Sequence, residues 1–275
     1  GSAGAKTTLV LGTGVSTLYY SCLNHTGMGG QINTNSTAGA SNFDGNLQAT
    51  VKANPEAGFS IVKVTGPSSA GFQSVGHGLN SKPEFIVCKD LDNARNWSVY
   101  HKDSQVSDIR VLPLNQNVAS FNSGTATWDI SELSTTTFTP YFRDDYGVSF
   151  NADNICYCFA PVANYSHFTT YEGNGSSDGP FVYTGFRPAI IIQKRTDSTG
   201  SWTLVDTARD IDNPAALELL PNSNAAEYDN TSLFDILSNG FKVRATFNNL
   251  NASSGSFIYI AFASNPFSAN GGLAR

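Results

Sequence analysis

The chain has 275 residues, 40% of them apolar, 12% aromatic and only 14% charged, with a formal net charge of −6. That length can bury one large β core or two ordinary ones, and the acidic balance argues against nucleic acid as a partner, because phosphate binding needs clustered Lys and Arg. No apolar run approaches the ~18 residues of a membrane-spanning helix, so a soluble chain without membrane insertion is expected. Gly, Ser, Thr and Asn are abundant while runs of helix-forming residues are scarce, which favours strands and turns.

In chain order, Ser16-Thr-Leu-Tyr-Tyr-Ser-Cys-Leu23 reads as a strand and resembles a later one, Asp153-Asn-Ile-Cys-Tyr-Cys-Phe-Ala160. The chain is therefore expected to begin late in a preceding repeat. The early strand would complete a sheet of the next unit or of a neighbouring subunit. Residues 27–42, rich in Gly, Ser, Thr and Asn, read as a linker or surface loop.

A repeat then becomes visible. Lys82-Pro-Glu-Phe-Ile-Val-Cys-Lys89 and Trp97-Ser-Val-Tyr100 match Arg187-Pro-Ala-Ile-Ile-Ile-Gln-Lys194 and Trp202-Thr-Leu-Val205 at a constant offset of 105 residues. Val111-Leu-Pro-Leu-Asn115 echoes Leu219-Leu-Pro-Asn222, and Cys156-Tyr-Cys-Phe-Ala160 echoes Tyr259-Ile-Ala-Phe-Ala263. The openings also match, Gly58-Phe-Ser-Ile-Val-Lys-Val-Thr-Gly66 against His167-Phe-Thr-Thr-Tyr-Glu-Gly-Asn-Gly175.

Each unit reads as an opening strand, a turn, a Pro-started apolar strand, a hairpin loop and a Trp strand. Phe85, Val87 and Lys89 fall on one side of the Pro-started strand and Ile86, Cys88 and Asp90 on the other, as in a strand buried on both faces. Trp97 and Trp202 occupy equivalent positions and are expected in the core. One short helix is predicted over 213–220, from Pro214 and the Ala/Leu/Glu run that follows.

The expected fold class is all-β: tandem antiparallel β-sandwich-like repeats with an N-terminal strand and linker arm. The boundaries are an arm over 1–57, repeats over 58–165 and 166–268, and a tail over 269–275. A single merged sandwich is the alternative.

Cys22, Cys88, Cys156 and Cys158 read as buried small hydrophobes; the last two, at i and i+2 of a strand, share a face and have poor geometry for bonding each other. His25, His77, His101 and His167 lack zinc-site spacing, and His77 sits in a Gly-His-Gly turn. No nucleophile elbow, phosphate loop or dinucleotide fingerprint occurs, so neither a cofactor nor a metal is expected. A carboxylate pair for a polysaccharide depolymerase would come from Asp144, Asp145, Asp178, Asp206, Asp210 and Asp212. Such acids in polar loops are more often solvated, and the chain is read as no enzyme. Calcium at Asp90 and Asp92, or at Asp206, Asp210 and Asp212, lacks a full ligand loop.

Residues 44–66, then Val75-Gly-His-Gly-Leu79, Leu237-Ser-Asn-Gly-Phe-Lys242 and Ala261-Phe-Ala-Ser-Asn-Pro-Phe267, resemble the recurring signature of large virion-associated proteins of marine tailed bacteriophages. So does the segment 171–188, and the resemblance covers most of 16–268. It implies a virion location in a tail or fibre, self-association as a homo-oligomer such as a trimer, and other virion tail proteins as partners. It also implies contact with a host cell-surface glycan or protein, and supplies no catalytic residues. The function expected is host-receptor binding. A purely structural tail or decoration role and a depolymerase are the alternatives.

Sugar-binding surfaces use exposed aromatic faces, and Trp128 has no partner in the other repeat. Trp128, Tyr141, Arg143 and Tyr146 form the ligand-binding candidate in the first repeat, and Arg209 in the loop 206–213 that in the second.

Overall fold

A computed structural model describes residues 17–21, 29–33, 39–104, 110–124, 127–145 and 147–264. Two compact units are present, Gly1–Ala40 and Ser41–Arg275. In the first, Thr17–Ser21 pairs antiparallel with Gly29–Asn33. Over Thr17–Ser21 the strand read at 16–23 thus finds a partner inside the stretch expected to be a linker.

The second unit carries three main sheets. Their strands are β1 (Ala40–Asn42), β2 (Ala49–Asn54), β3 (Phe59–Thr65), β4 (Phe85–Asp90), β5 (Ser98–His101), β6 (Asp153–Phe159) and β7 (Ser166–Glu172). They continue with β8 (Phe181–Tyr183), β9 (Pro188–Arg195), β10 (Trp202–Asp206), β11 (Ala215–Glu218), β12 (Tyr228–Leu237), β13 (Gly240–Val243) and β14 (Ser256–Ala263). The sheet orders are β1-β2-β3-β6-β4-β5, β7-β14-β9-β10 and β8-β13-β12-β11, and every pairing with a known register is antiparallel. The fold is all-β. β1 and β2, from the stretch read as an arm, extend the first sheet, where Ala49 and Val51 are buried. No helix among the described residues is long and apolar enough to cross a membrane.

The repeat is a repeat of topology. In each copy the order runs opening strand, closing strand, Pro-started strand, Trp strand: β3-β6-β4-β5 and β7-β14-β9-β10. Registers agree too, since Cys156 faces Cys88 and the equivalent Tyr259 faces Gln193. The opening strands correct the text match by two residues. Phe159 faces Phe59 while its counterpart Phe262 faces Ser166, so Gly66 corresponds to Gly173 and not to Gly175. A shift of two keeps every side chain on its face, which is why the motif text alone could not detect it. Both glycines are required by close approach: a β-carbon at Gly66 would strike the Ser149 carbonyl, and one at Gly173 the Ala252 carbonyl.

Three apolar clusters separate four layers. Val62, Val64, Ile86, Cys156 and Cys158 face Trp128, Phe138 and Phe142 from an irregular layer held by two short ladders, Gly71–Phe72 with Tyr141–Phe142 and Val75–Gly76 with Thr137–Phe138. On the opposite face of the first sheet, Phe85, Val87 and Val99 meet Phe168, Trp202, Ile258 and Ile260 of the second. The other face of the second sheet packs Tyr171, Ile191, Phe257 and Tyr259 on Phe234, Phe241 and Val243 of the third. Trp202 is fully buried between the repeats, whereas Trp97 is partly buried at the rim of that cluster and stacks on Tyr157 at 6.4 Å.

Two local expectations are overturned. Residues 215–218 form β11 rather than a helix, because the segment pairs with β12 and the Asp210 carboxylate accepts from the backbone N–H groups of Ala216 (2.8 Å) and Leu217 (2.6 Å). Tertiary pairing outweighs a propensity difference of a few tenths of a kcal/mol per residue. Among the described residues the single helical turn is Asn248–Asn251.

Cys88 and Cys156, read as separate thiols, are bonded to each other. They are directly opposed on β4 and β6 with Cα atoms 4.1 Å apart, a juxtaposition that strand pairing across 68 residues creates and spacing along the chain does not reveal. Cys158 is a buried free thiol, and Cys22 lies outside the described residues. Closing so long a loop restricts the unfolded chain. A non-reducing digest is expected to yield a Cys88–Cys156 cross-linked peptide by mass spectrometry, and Cys88→Ser to lower the urea-unfolding free energy by about 2–4 kcal/mol.

Candidate functional site

Each repeat secures the start of its Trp strand in the same way. The backbone N–H of Trp97 donates to Oδ1 of Asn115 at 2.9 Å, and that of Trp202 to Oδ1 of Asn222 at 2.7 Å. Each asparagine amide then donates to the side chain just before the Trp, Asn96 Oδ1 at 2.9 Å and Ser201 Oγ at 3.3 Å. Asparagine suits the position because one short side chain both accepts and donates.

Both clamps open onto one groove of about 580 Å³ at the junction of the repeats, lined by residues 115–118 on one side and Ser201, Leu220, Asn222 and Ser223 on the other. Its walls are tied across the junction. Gly200 N–H donates to the Asn117 carbonyl at 2.7 Å, Ser120 N–H to the Thr196 carbonyl at 2.9 Å, and Trp202 Nε1 to the Pro113 carbonyl at 2.9 Å. No lining residue is charged. The groove presents amides and hydroxyls, a donor and acceptor surface suited to a neutral, hydroxyl-rich ligand.

Four of the residues expected to bind ligand are placed elsewhere. Trp128 is 3% exposed, packed against Tyr100 with ring centres 5.7 Å apart, and cannot stack on an external sugar. Its lack of a repeat partner reflects the irregular layer of the first repeat, which needs its own large core residue. Tyr141 is half-buried, edge-on to Phe72 at 5.0 Å. Arg143 is buried; its Nε and Nη2 grip both oxygens of Asp145, the latter bond at 2.6 Å, and Nη1 donates to Ser123 Oγ at 3.2 Å. Tyr146 lies outside the described residues. Arg209 donates to Asp206 at 2.7 Å and Glu227 at 2.6 Å, so it braces the loop 206–213. Trp128, Tyr141, Arg143 and Arg209 do not line the groove.

The signal for the groove was present in the echo of Val111-Leu-Pro-Leu-Asn115 in Leu219-Leu-Pro-Asn222. That echo marks the residues that bind the Trp strands, but it does not say that the two copies meet.

Buried titratable groups cluster around the strands. His77 Nδ1 accepts from Leu79 N–H at 3.1 Å, with Nε2 3.4 Å from the Ser134 carbonyl. His101 Nδ1 accepts from Asp103 N–H at 3.2 Å, with Nε2 3.4 Å from the Tyr259 carbonyl of the other repeat. Acceptance at Nδ1 places the proton on Nε2, and both rings are neutral. Burial pushes each down to about 4. Burial likewise lowers Lys194 to about 8; its ammonium donates to the Arg195 carbonyl at 2.6 Å, as Lys89 in the first repeat donates to the Asp90 carbonyl at 2.7 Å. Among the described residues no group of three or more His, Cys, Asp or Glu is arranged to hold a metal ion.

These features define a class: a pair of fused β-sandwiches with a neutral groove at the seam. The chain belongs to the family described as Domain of unknown function (DUF7483), whose model matches residues 32–266 and so spans both repeats. No curated protein and no solved structure matches the chain.

The histidines set a pH dependence. The unfolded rings protonate near 6.5 and the folded ones near 4, so the unfolded state binds more protons between those values. The contribution of the neutral rings is full above pH 6.5 and is lost as pH falls toward 4. Urea unfolding is expected to show little change from pH 7 to 8 and a loss of about 2 kcal/mol per ring by pH 5. His101→Gln is expected to flatten part of that slope.

Proposed function

We propose that this chain is a tail-fibre-like virion module of a tailed bacteriophage that contributes to host-surface recognition by binding a neutral glycan in the groove between its repeats. The observation that carries the reading is the convergence of two equivalent clamps, Asn115 and Asn222, on one uncharged, hydroxyl- and amide-lined groove. The bacteriophage part rests on the resemblance of residues 44–66, 75–79, 171–188 and 237–242 to virion proteins.

Four of the six carboxylates considered for a depolymerase are engaged away from the groove. Asp145 pairs with Arg143, Asp178 with Lys242, Asp206 with Arg209, and Asp210 accepts two backbone N–H groups. Binding without turnover is therefore the favoured chemistry. Weak single sites of this kind gain strength by avidity when several copies of a chain sit on one particle, which is the use of a homo-oligomeric fibre.

Purified protein is expected to bind neutral glycans on an array and to label host cells. The Asn115→Ala/Asn222→Ala double variant should lose about tenfold or more in affinity, each lost hydrogen bond contributing about 0.5–1.5 kcal/mol. Virion assembly that requires the chain, with no glycan or cell binding by it, points instead to a structural tail or decoration role.

A further inference from the structure

Among the described residues five aromatic rings are exposed, Phe43, Phe181, Tyr183, Tyr228 and Phe247, and Phe181 and Tyr183 stand together on one strand. β8 is the edge strand of the third sheet, at the side opposite β11. Val182 points inward and is buried, whereas Phe181 and Tyr183 point outward and are 48% and 63% exposed. At i and i+2 of a strand they share a face, about 7 Å apart.

The surroundings hold these rings in place. Phe181 lies in one row with Lys242 and Asp235, and Tyr183 in the next with Gly240 and Leu237. A β-carbon on Gly240 would come within 3.1 Å of the Phe181 ring, and one on Gly185 within 3.6 Å of the Tyr183 hydroxyl, so each ring rests against a glycine. The strand is anchored from below by the buried Tyr259, whose hydroxyl donates to the Tyr183 carbonyl at 3.1 Å. Beside the rings, Lys242 pairs with Asp178 at 2.6 Å and Arg244 with Asp235 at 2.7 Å, while the Asp178 side chain stays 81% exposed.

We propose that Phe181 and Tyr183 form a second carbohydrate contact, a shelf on which one or two neutral hexopyranose rings stack their C–H faces while Asp178 and Lys242 meet the hydroxyls. Exposed aromatic faces supply apolar area at little entropic cost, and polar groups at their edge fix orientation. The size of the patch selects this occupant. Two half-exposed rings present on the order of 200–300 Å², against ~800 Å² per partner in a stable protein interface. The neighbouring charges neutralise one another in pairs, which disfavours a strongly charged ligand. The shelf goes beyond the groove reading, because it uses a different sheet and different residues.

The test is calorimetric titration of the purified full chain with a panel of neutral gluco-, galacto- and manno-configured hexaoses, with size-exclusion light scattering alongside. Expected is binding of at least one hexaose, weakened about tenfold by Phe181→Ala and by Tyr183→Ala and retained by Tyr183→Phe. Thermal unfolding should be unchanged, since both side chains are exposed. The Asn115→Ala/Asn222→Ala variant separates the two sites: its behaviour decides the groove, and loss in the ring variants supports the shelf whatever the groove does. The shelf is overturned if no hexaose binds at millimolar concentration or if the ring variants bind as the wild type does. A shift of the ring variants to a smaller oligomer would overturn it as well, by assigning the rings to self-association.

Discussion

The central strands of the first and second sheets carry apolar side chains on both faces. β4 and β6 bury apolar side chains on both sides, as do β9 and β14, and each repeat therefore needs two partners rather than one. One face is covered within the repeat, by the irregular layer or by the third sheet. The other is covered by the neighbouring repeat. Phe85, Val87, Val99, Leu112, Phe168, Trp202, Ile258 and Ile260 fill that seam, and burial of each such side chain is favourable by about 1.5–3 kcal/mol before the entropy cost. Two sandwiches in tandem are thereby compelled to become one body.

That fusion places the chemistry. The groove exists because equivalent loops from two copies are pressed together, and its walls are joined by backbone bonds that neither repeat makes alone. His101 is buried for the same reason, its Nε2 facing a carbonyl of the other repeat. Trp202 and Trp97 start from equivalent positions and end in different environments, because one points into the middle of the seam and the other toward its rim.

Both candidate contacts share a property that composition foreshadows. Charged residues are few, and Asp145, Asp178, Asp206 and Asp235 are each paired with a cation, so neither the amide- and hydroxyl-lined groove nor the shelf carries an unbalanced charge. Such a surface discriminates through hydrogen-bond geometry and stacking rather than through net charge, which suits recognition that varies little with ionic strength.

Much of the architecture was legible in the chain itself. The 105-residue echo, the Pro-started strands and the alternation of Phe85 with Ile86 report local and repeated constraints, and those are written in neighbouring residues. Trp128 was misplaced because a large aromatic among Thr, Ser and Gly looks exposed until the irregular layer that it fills is known. The Cys88–Cys156 bond, the β-strand at 215–218 and the meeting of Asn115 with Asn222 depend on partners beyond the local sequence window. Sequence by itself determined which faces are apolar and that the unit occurs twice, since side-chain periodicity is a property of adjacent residues. Only the tertiary structure decided what covers those faces, because two apolar surfaces attract without direction, and shape complementarity alone selects the pairing.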